Sequence, residues 1–310
     1  MRERYQPEGS RISSARNREL ISSDEGLARA HQSGEILEAR AIRCDADRNL
    51  IVDLGGRMGI IPRAEAAAGE DVRDIAIISQ VGKFVCFKPI ATQNGVPILS
   101  RRAAQEEAIA YFMRELMPGD VLPMRVTHLE PFGAFVDIGC GVPSLIGIEN
   151  ISISRISHPS DRFEVGQTGY AAVLSVERDK GRINLTHREL LGSWEQNAER
   201  FGVGETVAGV VRGVEEYGAF IELAPNLSGL TERREGLEEG DGVSVYIKSI
   251  NPERMKIKLL VIERLDQKAR MPLEYFITDG HIDRWRYSPE MCDKKTIERV
   301  FDGNVGVYGM

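Results

Sequence analysis

The sequence predicts a mainly β chain of small five-stranded barrels in tandem, joined by short helices. Three observations carry this. Short runs rich in β-branched and aromatic residues recur along most of the chain, separated by Gly, Pro, Asn and Asp turns. A pattern of aromatic-Gly-Ala-aromatic occurs twice, as Phe132-Gly-Ala-Phe135 and Tyr217-Gly-Ala-Phe220, each time after a strand-like run and before a turn containing Gly, Pro or Asn. Between the repeating blocks lie segments with helical spacing of apolar residues.

The bulk numbers set the class. A length of 310 residues suggests two or three domains, and 42% hydrophobic with 28% charged residues fits a folded globular chain. No apolar run approaches the ~20 residues that span a bilayer. The N-terminal Met-Arg-Glu-Arg-Tyr-Gln has no apolar core for a secretory signal, so a cytoplasmic location and no membrane are expected. Cys44, Cys86, Cys140 and Cys292 are far apart with no CxxC pair, which predicts reduced, buried thiols. A net charge of −7 argues against a broad surface for duplex DNA. It leaves RNA open, because binding depends on the local face rather than the sum.

In chain order, residues 1–33 read as a basic arm and a short helix. Arg2, Arg4, Arg11, Arg16 and Arg18 among Ser, Asn, Pro and Gly suggest a mobile segment, open to phosphate contact or simply solvated. Ser22 with Glu25 reads as a capping box, and Gly34 stops the helix. Residues 34–102 read as a divergent barrel whose strands include Ile36–Ile42, Leu50–Leu54, Gly59–Ile61, Ile75–Ile78, Phe84–Phe87 and Val96–Ser100. Gly55-Gly56-Arg57-Met58-Gly59 lacks the Gly-Lys-Ser/Thr ending of a phosphate loop and reads as a hairpin turn. Residues 103–116 form a linker helix stopped by Pro118-Gly119.

The clearest module spans 117–190, with strands at Val121–Leu129, Gly133–Ile138, Leu145–Ile148, Tyr170–Val176 and Arg182–Thr186. A polar excursion over 149–165 separates the third strand from the fourth, which is the plan of an OB-type barrel. A helical linker over 191–201 precedes a degenerate copy over 202–263. The spacing of the copies suggests beads on a string rather than one stacked core. The tail over 264–310 does not repeat. His281, Asp279 and Asp283 lack a metal-ligand spacing and suggest a turn packed on the last barrel. Asp302–Gly309 reads as frayed.

Strand side chains alternate, so residues three apart should face opposite ways. A glycine between two aromatics permits a bulge that returns both to one face. Such rings either pack in the core or make a stacking platform for unpaired bases, and two copies in matching surroundings favour a module.

Gly119-Asp-Val, Phe132-Gly-Ala-Phe-Val, Ser144-Leu-Ile, Gly166-Gln and Gly181-Arg-Ile-Asn-Leu-Thr-His-Arg-Glu189 together resemble the S1 RNA-binding domain of the bacterial ribosomal protein S1 family. Gly204-Glu-Thr-Val, Tyr217-Gly-Ala-Phe-Ile and Lys256-Ile-Lys-Leu are similar but worn, and Gly59-Ile-Ile-Pro62 looks like a divergent first repeat. The whole resembles a short form with three such domains.

The resemblance implies binding of single-stranded RNA, mRNA above all, near the small ribosomal subunit in translation initiation. It implies no enzyme activity, no cofactor, no metal and no small-molecule substrate. Carried over, the stacking residues are Phe132 and Phe135, the acidic position is Glu177 and the basic one Arg182. The family histidine position falls on Gly147, a departure for which His128, Arg155, His158 and Arg162 would compensate from neighbouring elements, the alternative for most of them being a solvated polar side chain. In the third copy the positions fall on Tyr217, Phe220, Glu232, Asn251 and Lys256. That copy is the more acidic, so the middle barrel is expected to bind best. The first lacks the aromatics and by analogy docks to the ribosome. Two other roles compete: a protein-binding adaptor on the ribosome or another RNA machine, and an accessory subunit of an RNA-processing enzyme.

Overall fold

Three closed five-stranded barrels follow one another in the computed structural model, which describes residues 4–69, 72–265 and 271–301. The first barrel has β1 (Leu37–Cys44), β2 (Leu50–Asp53), β3 (Met58–Ile61), β4 (Phe84–Gln93) and β5 (Val96–Ser100), in the order β1-β2-β3-β5-β4. The middle barrel has β6 (Val121–Glu130), β7 (Gly133–Asp137), β8 (Pro143–Gly147), β9 (Thr168–Glu177) and β10 (Arg182–Thr186). The third has β11 (Thr206–Glu215), β12 (Gly218–Ala224), β13 (Leu227–Thr231), β14 (Gly242–Asn251) and β15 (Lys256–Arg264). In each, the third and fifth strands pair in parallel and close the barrel. Alternation builds them: in β15 Ile257, Leu259 and Val261 point inward while Lys256, Lys258 and Leu260 point out.

Helices α1 (Ala15–Ile21) and α2 (Asp24–Ser33) precede the first barrel, and α3 (Asp74–Ile78) lies between β3 and β4. α4 (Arg101–Glu115) follows β5 directly, and α5 (Trp194–Ala198) follows the middle barrel. β16 (Arg284–Arg286) and β17 (Glu298–Val300) form a two-stranded sheet in the tail. Arg2 and the Asp302–Gly309 end lie outside the described residues.

Several expectations are corrected. Ile75–Ile78 is part of a helix, not a strand. A four-residue apolar run fits either period. Asp74 at the helix start pairs with Arg48 and Arg63, and only Ile77 of the helix is buried. The α2 cap is Ser23, whose side chain accepts from Gly26 N; Ser22 ends α1 instead. The arm is docked rather than mobile. Arg101 Nε donates to Glu8 Oε1 at 2.8 Å, Cys86 N donates to the same oxygen at 2.9 Å, and Arg11 N donates to the buried Glu38 carboxylate at 2.7 Å. Burial pushes the Glu38 carboxyl above its ordinary range. Arg4 pairs with Glu107 and Arg16 with Glu35, so these cations are engaged within the fold. The four thiols are free, with Cys86, Cys140 and Cys292 buried and Cys44 half-buried.

The described residues divide into two compact units. The first runs through Leu116 and takes in Pro123–Arg125 and Asp137–Ser144; the second holds the rest. Within the second, the string-of-beads expectation fails. The excursion after β8 packs on the third barrel: Ile153 N donates to Asn226 Oδ1 at 2.9 Å, and Asn226 Nδ2 donates to the Arg188 and Gly192 carbonyls. Arg162 is fully buried and grips Glu222 with two bonds, while Arg212 Nε reaches the same carboxylate at 2.6 Å. Val121, Trp194, Leu227, Ile282, Trp285 and Phe301 share one core. Each large apolar side chain so buried contributes roughly 1.5–3 kcal/mol. The tail turn packs at the entry to the middle barrel rather than on the last one, with His281 Nδ1 2.9 Å from Asp120 Oδ1 and Ile282 N donating to the Gly119 carbonyl.

Candidate nucleic-acid interface

Phe132 and Phe135 meet on the outside of the middle barrel. Their ring centroids are 6.0 Å apart at 88°, and Phe132 is 56% exposed. Tyr217 and Phe220 repeat the arrangement at 6.3 Å and 90°, with exposures of 66% and 38%. The expected bulge is not the reason. β7 and β12 begin at the glycine, so Phe132 and Tyr217 stand in the preceding turn, free of strand alternation. The glycine serves close approach instead. A Cβ at Gly133 would collide with the Ile146 carbonyl oxygen, and one at Gly218 with that of Thr231.

His128 borders the middle pair, and Glu177 and Arg182 face each other on β9 and β10 of the same barrel. His128 is exposed, its ring 6.3 Å from Phe135 and its Nε2 2.7 Å from Glu130 Oε1. Arg182 opens β10 directly across from Glu177. Glu177 is held by Lys180 Nζ at 2.9 Å and Asn184 Nδ2 at 2.9 Å, which keep its carboxyl below the usual range. Arg182 is exposed and makes no hydrogen bond or ion pair among the described residues. It is an exposed cation on the same barrel as the ring pair.

Gly147 is not merely empty. The Glu149 carboxylate folds over it, held by Asn150 Nδ2 at 2.9 Å. In the third barrel Glu232 takes the corresponding place, one residue beyond Thr231, which pairs with Ala219. Both copies thus put a carboxylate where the resemblance calls for histidine.

The other residues separate. Arg155 is exposed on the excursion, and no described contact joins it to the rings. His158 caps the turn Pro159–Asp161 through Ser160 N. Arg162 is a buried structural cation and is not available to a ligand. Lys256 is exposed across from Asn251, whose side chain caps the next turn through Arg254 N.

Strand register shows what sequence spacing did not. The outward row is Phe220–Leu230–Lys258–Ser249 in the third barrel and Ile51–Ile60–Ile98–Ala91 in the first. In the middle barrel Asn184 takes the place of Lys258, between Leu145 and Ser175. The first barrel has Arg48 at the position of Tyr217, tied to Asp74 at 2.9 Å. It carries no platform there. Lys258 was missed because its position is set by a parallel pairing, which no sequence spacing shows.

A closed five-stranded barrel with two rings meeting on its outer face, one of three such barrels in the chain, defines a multi-barrel protein of the S1-domain class. Residues 115–188 match the family described as S1 RNA binding domain. The small ribosomal subunit protein bS1 homolog of Bacillus subtilis (strain 168) is 35% identical over 260 residues, covering 77% of this chain and 66% of that protein. The bS1 of Leuconostoc lactis is 31% identical, covering 76% and 58%. That of Staphylococcus haemolyticus (strain JCSC1435) is 31% identical over 308 residues, covering 94% of this chain and 76% of that protein. The chain belongs to the bS1 family of small ribosomal subunit proteins. It spans 66% and 58% of the lengths of the first two of these relatives, less than two thirds of each.

Proposed function

We propose that this chain binds single-stranded RNA on the outer face of its middle barrel and, as a bS1-family protein, holds mRNA at the small ribosomal subunit during initiation. The observation that carries the reading is the Phe132–Phe135 ring pair on the outer face, on the same barrel as the exposed Arg182 and inside the S1-matching segment. Bases stack on the two rings, and Arg182 meets a phosphate. Each stacked base contributes ~1–3 kcal/mol, with little preference among bases because each has a π-face. His128 borders the platform, and Glu177 orients the polar groups next to Arg182. Tyr217, Phe220 and Lys256 form a second face. The domain plan proposed is a binding barrel over 117–190, a second over 202–263, and a first over 34–102 that docks to the ribosome. The reading makes the chain a cytoplasmic binding protein with no reaction of its own.

In the Phe132→Ala/Phe135→Ala double variant, single-stranded RNA affinity measured by fluorescence anisotropy falls by at least thirtyfold, while the circular dichroism spectrum is unchanged; about 1–3 kcal/mol per stacked base sets the scale. Unchanged affinity in a folded double variant contradicts the stacking reading. One observation favours a second reading, a protein-binding adaptor: Glu149 and Glu232 stand at both platforms. Affinity for RNA that falls as salt rises supports the first reading, and no binding at low salt supports the second.

A further inference from the structure

The outer face of β14 and β15 is where the third barrel departs most from the other two. Tyr246 on β14 pairs with Leu260 on β15 and with Thr206 on β11. The corresponding pairs are Lys88–Ser100 in the first barrel and Ala172–Thr186 in the middle one. Those places are covered. Ser100, Ala172 and Thr186 are fully buried, Ser100 as the cap of α4 and Thr186 beneath Glu189 and Arg299. In the third barrel the same place is open: Tyr246 is 37%, Leu260 41% and Ile262 48% exposed.

Charge says what this open face fits. Lys248, Lys256 and Lys258 point outward on the same two strands and make no ion pair among the described residues. The barrel is acidic as a whole, but most of its carboxylates gather elsewhere; Glu253 in the β14–β15 turn and Glu205 next to Thr206 border the face without lying on it. Glu215 and Glu216 lie at the β11–β12 turn, and Glu232 to Glu239 lie between β13 and β14. Only Glu263 stands on β15, at its far end opposite Ser244. A local face of three free lysines around an exposed ring attracts a polyanion whatever the sum.

The face is also continuous with the known rings. Phe220, Leu230 and Lys258 are cross-strand neighbours in one row, and Leu260 with Tyr246 is the next outward pair along β15. Three strand spacings of about 4.8 Å each separate β12 from β14. We infer that single-stranded RNA crosses this face, with a base stacked on Tyr246 and phosphates held by Lys248, Lys256 and Lys258. The path extends the Tyr217–Phe220 platform around the barrel. This rests on the RNA reading above and adds Tyr246, Lys248 and Lys258, which neither the aromatic repeat nor the family match assigns, to the already assigned Lys256.

The test uses the full chain and a labelled twenty-nucleotide oligouridine carrying 4-thiouridine. In Tyr246→Ala the affinity falls about tenfold, the scale of one lost stacked base. Tyr246→Phe keeps the ring and stays within twofold of the native chain. Replacing the three lysines with alanine flattens the dependence of log affinity on log salt by about two, as expected for ~0.7 per phosphate contact. Photo-crosslinking marks the tryptic peptide 235–248. Unchanged affinity in a folded Tyr246→Ala chain, with no crosslink on that peptide, overturns the inference and leaves this face to a protein partner. If Phe132→Ala/Phe135→Ala alone abolishes binding in the same assay, the middle-barrel reading survives that failure. If the Phe variant binds normally and Tyr246→Ala does not, the middle-barrel reading fails and this one stands.

Discussion

The middle and third barrels present the same two rings in nearly the same geometry, yet their surroundings differ. In the middle barrel Asn184 and Lys180 tie up Glu177, leaving the exposed Arg182 opposite it on β10. In the third, Lys256 and Lys258 take the places of Arg182 and Asn184, and Asn251 takes that of Glu177. The rings are constant, and their neighbours set the field. Net charge per module would rank the two barrels in one order, and the charge of the sheet face would rank them closer together. What still favours the middle barrel is the third ring, His128, against Phe135, and the greater distance in sequence between its platform and a run of loop carboxylates.

The largest expected effect breaks the frame that both barrels share. Glu222→Gln leaves the buried Arg162 without its anion and Arg212 with Asp161 alone, a change that costs about 3–5 kcal/mol. Urea unfolding followed at the tryptophans Trp194 and Trp285 will show this as a lower midpoint in one transition. A midpoint within error of the native chain would mean that the buried pair does not hold these barrels together.

The next effect separates the barrels by pH. His187 closes the middle barrel where the third has Val261. It is buried, with Nδ1 2.7 Å from the Ile151 carbonyl oxygen and Nε2 3.0 Å from the Tyr275 hydroxyl. Burial pushes its pKa down to about 4. A histidine whose folded pKa lies below its unfolded value of ~6.5 gives stability that is full above that value. The stability is lost as pH falls toward 4, by about 3 kcal/mol. Unfolding titrations at pH 7 and pH 4.5 on the native chain and His187→Gln will differ in that loss. Equal pH dependence in the two would exclude His187 as its source.

The smallest effects sharpen the comparison at the platforms themselves. Glu149→Gln and Glu232→Gln each remove a carboxylate beside a ring pair. Each raises RNA affinity two- to fivefold at low salt, with the gain vanishing at high salt as screening shortens the Debye length to about 3 Å at 1 M. A gain that survives high salt would point to shape rather than charge.

Much of the fold was legible because period and punctuation agree. Alternation in Lys256–Val261 and the turns at Gly139–Pro143 and Arg178–Gly181 mark strands and their ends without tertiary information. The exceptions each have a physical cause. The docking of the arm depends on Glu8 meeting Arg101, a partner 93 residues away. Ile75–Ile78 is too short for its period to declare itself. Arg162 reads as a surface residue until Glu222 and Arg212 surround it. The two ring pairs were legible as a repeat, but the reason for their glycines was not, since it lies in carbonyls of the neighbouring strands. Tyr246 gave no signal, because its exposure comes from what covers the other two barrels and not this one.

The most direct measurement pairs the two platforms in one assay. Phe132→Ala/Phe135→Ala and Tyr217→Ala/Phe220→Ala are titrated against the same labelled oligouridine at the same low salt. The account predicts that the first loses at least thirtyfold and the second a smaller factor, near tenfold. Equal losses, or a larger loss in the second, would contradict the claim that the middle barrel is the principal RNA face.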